Sequence, residues 1–230
     1  MKEYASIPRY LDDGSLHGEY VVAFNKLDGQ NFRVKYTPKG ATKKQFTNFG
    51  SRTQLVDETN EQFGDAVRFF KKHYDAPLRD IIVNNSGKHG IFNGAEEITL
   101  FFEWYGPHSF AGFQEPTDKD RMSLCLFDVF IKKKGFVEPK DFIDIFGEDE
   151  RVETPDVVFI GILTNDFIKS IQENDWTKPD AKYPNVKEGV VIKRSTRLPG
   201  QRLPMSKVKT KWWLEKLHAN FSEEDCKRLE

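Results

Sequence analysis

Alternation of apolar and polar residues is strongest near the N-terminus. Val21, Val22 and Phe24 precede the tetrapeptide Lys26-Leu27-Asp28-Gly29, and Phe32, Val34 and Tyr36 follow it. β-Branched and aromatic residues on both sides of Asp-Gly predict a β-hairpin with its corner at Asp28-Gly29. Before it, residues 1–18 read as a lead-in punctuated by Pro8, Asp12-Asp13-Gly14 and Gly18. After it, residues 39–48 are polar and read as a loop, and residues 46–52 as a short strand and turn.

The clearest helical pattern covers residues 57–74. Phe63, Val67, Phe70 and Tyr74 share one face, and Asp57 or Thr59 is placed to cap it. Pro77 is expected to end this helix, with a short strand over 79–83 and a loop over 84–90. Residues 98–105 (ITLFFEWY) predict a strand, and the Gly-, Pro- and Ser-rich stretch 106–120 a loop. Residues 122–132 and 157–163 are nearly continuous apolar runs, which predict strands buried on both faces. Short helices are expected over 139–146, with proline in the first turn, and over 164–172, capped by Thr164 or Asn165. GVVIK at 189–193 reads as a strand, 205–213 as a strand or a helix start, and 222–229 as a helix with a capping pattern at Ser222 and Asp225. Strands and helices mix without βαβ alternation, so the expected class is α+β, sheet-rich, in a single domain over residues 1–230.

Composition sharpens this picture only in places. A chain of 230 residues can bury a sizeable core, and 20 phenylalanines supply much of it. The net charge of −1 is uninformative about partners, but its distribution is not. Residues 187–211 hold eight Lys or Arg and one acid, Glu188, whereas acids dominate 138–156. Such a basic block is either a footprint for phosphates or a solvated charged face. Cys125 and Cys226 form no CxxC, and neither they nor the five histidines show metal-ligand spacing. Sparse cysteine points to a reducing compartment. With no long apolar run and no apolar core in the first residues, a cytoplasmic protein is expected.

Few residues carry chemistry. Lys26 is either a surface lysine beside a turn or a nucleophile aimed by one, since lysine forms covalent intermediates only when held neutral and directed. Glu103 and Asp128 sit inside apolar strands, where a lone acid is costly unless paired or facing a cleft. For Glu103 the alternative is a solvent-facing position on the strand's alternation. Lys207, Lys209 and Lys211 share a face if residues 205–213 are a strand, and would repel one another without an anion there. In a helix they would be spread around it instead.

Read in order, these stretches resemble the nucleotidyltransferase domain of ATP-dependent polynucleotide ligases, particularly phage RNA ligases that seal nicks. Lys26-Leu27-Asp28-Gly29 resembles the adenylated-lysine motif, Ser51-Arg52-Thr53 a second motif, Phe102-Glu103-Trp104-Tyr105-Gly106-Pro107 a third and Leu126-Phe127-Asp128-Val129 the next. Lys187 through Lys193 resembles the fourth, Lys207-Val208-Lys209 the last, and Tyr4-Ala5-Ser6-Ile7 the start of the RNA ligase group. The resemblance implies an ATP-grasp-like fold of mainly antiparallel sheets flanked by helices, with a nucleotide cleft between sheets. It implies Lys26 as the residue that takes AMP from ATP, with Lys207 and Lys209 gripping phosphate and lowering the pKa of Lys26. Asn25, Leu27, Arg52, Glu103 and Phe127 would complete the nucleotide site: Glu103 on the ribose, Phe127 stacked on adenine and Arg52 on phosphate. Glu188 would hold Mg²⁺ or Mn²⁺, which phosphoryl transfer needs. Asp28, Asn31, Arg33 and Arg52 would face the nick of a duplex, and the enzyme would be a monomer, in a host cytoplasm if phage-encoded.

Two departures qualify the resemblance. RNA ligases usually carry His two residues after the lysine and Asn five after, and DNA ligases Asp and Arg. Here Asp28 and Asn31 mix the two, and Arg33 is out of register with the DNA ligase arginine. The chain also ends at Glu230, soon after the last lysine motif, so no OB-fold or other C-terminal domain is expected. The alternatives are a minimal ATP-dependent DNA ligase, a capping guanylyltransferase and a non-catalytic nucleic-acid-binding domain.

Overall fold

The computed structural model describes residues 1–38, 45–106, 122–197 and 202–229. The loops expected over 39–48 and 106–120 lie largely outside these residues. In chain order the elements are α1 (Tyr10–Asp13), β1 (Tyr20–Lys26), β2 (Gly29–Thr37), β3 (Gln45–Gly50), β4 (Leu55–Val56), α2 (Gly64–His73), α3 (Asp75–Asn84), β5 (Ile98–Tyr105), β6 (Ser123–Ile131), β7 (Gly135–Phe136) and α4 (Pro139–Phe142). A π-helical turn (Ile143–Gly147) follows, then β8 (Val157–Ile162), α5 (Asn165–Gln172), β9 (Gly189–Arg194), β10 (Met205–Lys209), α6 (Lys211–Asn220) and α7 (Glu223–Leu229). The class is α+β, with two antiparallel sheets flanked by helices, as the pattern of elements predicts. Among the described residues, no helix is long and apolar enough to cross a membrane.

The predicted hairpin does not form. β1 pairs with β8 and β9 in a four-stranded sheet, whereas β2 pairs with β3 and β5 in a six-stranded one. Asp28-Gly29 is therefore a crossing between sheets rather than a hairpin corner. The reason is that a turn signal specifies only a change of direction. Partners are chosen by which faces and edges bury best. Gly29 is needed at the crossing, because a Cβ there would come within 2.6 Å of Trp104 O.

The chain divides into two units, Met1–Ala5 with Gly29–Thr154, and Ser6–Asp28 with Pro155–Glu230. The first holds the six-stranded sheet, in the order β4-β3-β2-β5-β6-β7. Alternation along β2 sorts its side chains. Phe32, Val34 and Tyr36 join the core, with Phe32 stacked on Phe49 at 6.0 Å and Tyr36 tilted on Phe46 at 4.9 Å. Asn31 and Arg33 take the opposite face, level with Glu103 and Phe101 of β5.

α2 begins at Gly64, later than its apolar periodicity suggests. Asp57 and Asn60 spend their side-chain oxygens on turns instead, Asp57 accepting from the Thr59 N–H and Asn60 from the Gln62 and Phe63 N–H groups. Pro77 does not end helical structure. It falls in the first turn of α3, where a missing N–H costs little. The strand expected over 79–83 is accordingly helical, and Leu78, Ile81 and Ile82 are buried at helical spacing.

The second unit holds the sheet ordered β10-β9-β1-β8. Val21, Ala23, Val190, Ile192 and Val208 pack on Phe167, Ile168 and Ile171 of α5, which Thr164 caps through the Phe167 N–H. β8 lies at the edge of this sheet, so its apolar run is not buried on both faces: Ile160 and Ile162 are each 52% exposed. Residues 205–213 resolve into both alternatives. The strand runs to Lys209, then Thr210 caps α6 by accepting from the Trp213 N–H at 3.1 Å.

Candidate active site

Three strands of the second unit place the lysine motifs at one level. Lys26 at the end of β1 is paired with Gly189 at the start of β9, and Gly189 with Lys209 at the end of β10. Gly189 has φ of +152°, and any side chain there would run into the Val208 carbonyl and the Lys209 Cα. The absence of a Cβ lets the three strand ends close up, and the residue before it, Glu188, falls between the two lysines.

Glu188 holds both. Its two carboxylate oxygens are each 3.0 Å from Lys26 Nζ, and Oε1 is 3.1 Å from Lys209 Nζ. Glu188 and Lys209 are almost fully buried, whereas the Lys26 side chain is 24% exposed. The lysine of the first motif is thus the one reachable from solvent. Burial lowers the pKa of Lys209 to about 8, against the opposing pull of Glu188 and with some help from the nearby Lys26 charge. The Lys209 ammonium also lies 3.6 Å from the centre of the Trp213 ring.

Asp28 is the second acid of this cluster. It is 6% exposed, and burial and then the Glu188 charge raise its pKa to about 6. The Trp213 indole interacts with it, yet neither Asp28 Oδ2 nor the indole nitrogen closes a hydrogen bond of ordinary geometry. Asn25 donates from Nδ2 to Asn185 O at 3.0 Å, which steadies the end of β1, while its own Oδ1 is buried without a partner. Leu27 is half-buried at the crossing. Lys207 lies on the same strand as Lys209, and its N–H bonds Pro8 O at 2.9 Å. Lys211 opens α6, is 66% exposed and pairs with Glu173 at 3.8 Å. Lys209 thus reaches Glu188, whereas Lys211 lies beyond the end of β10 on α6.

The remaining expected residues lie in the first unit. Asn31 is directly opposite Glu103 on neighbouring strands, and its Oδ1 is buried without a partner. Glu103 is half-buried, so neither a fully solvated nor a core position describes it. Phe127 sits near a register shift between β5 and β6, stacked on Phe101 at 6.5 Å with Tyr4 edge-on at 5.1 Å. The buried acid Asp128 is paired, accepting from the Tyr4 hydroxyl at 2.8 Å. Arg52 is exposed just after β3. Arg33 is buried, donating to Lys2 O at 3.0 Å with Glu3 at 3.7 Å, and so ties down the N-terminus. Sequence reasoning missed Trp213, and it named Tyr4 only as part of an N-terminal motif, not as the partner of Asp128. An aromatic residue four places after Lys209, at a helix start, was the one available signal for Trp213.

A divalent cation fits the residues of the second unit. Glu188 lies close enough to Asp28 to disfavour the Asp28 charge, and one buried Asp28 oxygen is unpartnered. Among the described residues, no group of three or more His, Cys, Asp or Glu converges. Two neighbouring carboxylates suit a hard divalent cation, which is held by one or two carboxylates with water and phosphate completing the shell.

Several solved structures share this fold. A point mutant of the Naegleria gruberi RNA ligase with ATP and Mn matches with a TM-score of 0.65 at 15% identity, over 96% of this chain and 59% of that one. Another mutant of that ligase, with AMP and Mn, gives 0.64 at 16% identity, over 94% and 58%. A provisionally assigned ATP-dependent DNA ligase from Aquifex aeolicus gives 0.63 at 16%, over 93% and 51%. The chain thus spans between half and three fifths of the length of these proteins. No curated protein matches it in sequence. The sequence profile of the RNA ligase family, however, matches residues 19–209, a span that begins before Lys26 and closes at Lys209, and on that span the chain belongs to the RNA ligase family.

Proposed function

We propose that the protein is an ATP-dependent polynucleotide ligase in which Lys26 carries AMP. The observation that carries this reading is the meeting of Lys26, Glu188 and Lys209 within one unit, with Lys26 the solvent-accessible member. The Lys26 amine would attack the α-phosphate of ATP, forming a P–N bond and expelling pyrophosphate as the amine loses its proton. The 5′-phosphate at a break would then take AMP from Lys26, and the 3′-hydroxyl would displace AMP to join the strand.

A carboxylate 3.0 Å away favours the charged form of Lys26. Glu188 must therefore turn from Lys26 toward the nucleotide side before the amine is nucleophilic. Asp28 and Glu188 would hold the divalent cation, which when bound supplies charge neutralisation at the phosphates. Lys207 and Lys209 would grip the transferred phosphoryl group. Glu103, Phe127 and Arg52 would contact ribose, adenine and phosphate, and Asn25 and Leu27 would border the nucleotide. Asp28, Asn31 and Arg52 would face the break. Arg33 is a weaker candidate for that role, because its guanidinium already serves Lys2 and Glu3.

In this reading the chain is a single adenylation domain acting as a monomer, similar in motif content to phage RNA ligases that seal nicked duplexes, with RNA or mixed substrates. Incubation with ATP and Mg²⁺ should add the mass of AMP to the protein, and Lys26→Ala should abolish the adduct. An adduct that survives in Lys26→Ala would refute the assignment. GTP in place of ATP tests the capping alternative. A minimal DNA ligase is the second reading, favoured by Asp28 two residues after the lysine. A panel of nicks that varies the sugar on each side of the break separates the two.

A further inference from the structure

Lys209 is held from two sides. Glu188 Oε1 lies 3.1 Å from its Nζ, and the Trp213 ring centre 3.6 Å. Only 6% of the Lys209 side chain is exposed, so little water is available to take over if either partner leaves. Trp213 is 3% exposed, and its place is set by a short chain of hydrogen bonds. Its backbone N–H donates to Thr210 Oγ1, the Thr210 hydroxyl donates to Lys187 O at 2.7 Å, and the Thr210 N–H donates to Glu188 O at 2.9 Å. The ring under Lys209 is therefore anchored to the backbone of Glu188 itself.

We propose that Trp213 is a positioning residue for Lys209: its indole face keeps the ammonium aimed at the phosphoryl group once Glu188 turns away. The inference rests on the reading of Lys26 as the adenylated lysine and of Lys209 as a phosphate-gripping one. Its physical basis is simple. Adenylation asks Glu188 to turn from Lys26, and that turn loosens its hold on Lys209. A lysine that loses its bridging carboxylate has four rotatable bonds, and the nearby Asp28 charge attracts it without fixing its direction. The negative face of an indole attracts a cation placed over it and, unlike Glu188, has no second task in the reaction.

The test measures AMP–protein formation by the full chain across ATP concentrations, in parallel with thermal melts. Trp213 is replaced site-specifically by tryptophans bearing one, two or three ring fluorines. These keep shape and N–H while draining the ring's negative face. The expected result is a stepwise fall in maximal adenylation rate, with half-saturating ATP unchanged within about twofold. A flat series would overturn the proposal. Independently, Trp213→Leu should slow adenylation by about tenfold to thirtyfold, the range a cation–π contact supports, and Trp213→Phe should recover most of that loss. In a Lys209→Met background, Trp213→Leu should cost less than about twofold more, since the contact it removes is already gone. Fully additive losses would make Trp213 a packing residue only. If the wild-type chain takes no AMP at all, the parent reading fails and this inference falls with it. An adduct in wild type with a flat fluorine series removes this inference alone.

Discussion

Lys26 and Glu188 form an ion pair at 3.0 Å although 162 positions separate them in the sequence. Strand register is what joins them: Lys26 is level with Gly189, so the preceding residue ends beside the lysine. Glu188→Gln would remove the carboxylate that bridges the two lysines, leaving Asp28 as the acid beside them. The expected outcome is a loss of about 3 kcal/mol in urea unfolding, together with a loss of adduct formation of at least about 100-fold. Unfolding that matches wild type would mean that the pair does not form in solution.

Lys209 and Lys211 should behave differently. Lys209 is buried against Glu188 and Trp213, whereas Lys211 is 66% exposed with Glu173 at 3.8 Å. Surface pairs contribute about 0 to 1 kcal/mol. Lys211→Ala should therefore melt and adenylate within about threefold of wild type, and Lys209→Ala should lose about 100-fold or more in adenylation rate. Equal losses in the two variants would shift the phosphate-gripping pair by one strand period.

Gly189 is where a single methyl group should do the most harm. Its φ of +152° and the adjacent Val208 carbonyl leave no room for a Cβ. Gly189→Ala is expected to destabilise by roughly 3 kcal/mol and to part Lys209 from Lys26. Calorimetry and adduct mass report the two effects separately. A stable variant with normal labelling would contradict the close approach of β9 to β10.

Asp28 provides a pH signature. Its folded pKa is about 6 against an ordinary value of 3.8, raised first by burial and then by Glu188. The folded state therefore binds the proton more tightly than the unfolded one. Asp28 is least unfavourable below about pH 4 and becomes progressively destabilising as pH rises through about 6. Asp28→Asn should then gain on wild type across that window, by on the order of 2 to 3 kcal/mol at neutral pH. Urea midpoints measured from pH 4 to pH 7.5 give the difference curve. A difference that stays flat across the window would rule out the raised pKa.

Much of the architecture was legible along the chain. Val21 to Lys26, Ile98 to Tyr105 and the GVVIK run became strands, because β-branched and aromatic residues on a short segment have few other places to go. Thr164 and Ser222 cap the helices they were expected to cap. Failures came where a local signal had two tertiary readings. Pro77 starts a helix as readily as it ends one, and the apolar run of β8 reads alike at a sheet's edge and at its centre. The acid at position 128 was a puzzle in sequence because its partner, Tyr4, lies 124 residues away.

By itself the sequence determined the class of the fold, the position of most strands and the identity of the segments that carry the lysines and acids, because each of these follows from patterns a few residues long. Only the tertiary structure decided what those segments face. Asp28-Gly29 looked like a hairpin corner and is instead the crossing between two sheets. Lys26, Glu188, Lys209 and Trp213 meet because β1, β9 and β10 align their ends at Gly189. The physical reason is that strand pairing and burial are settled between segments far apart in the chain, where local propensity carries no information about the partner.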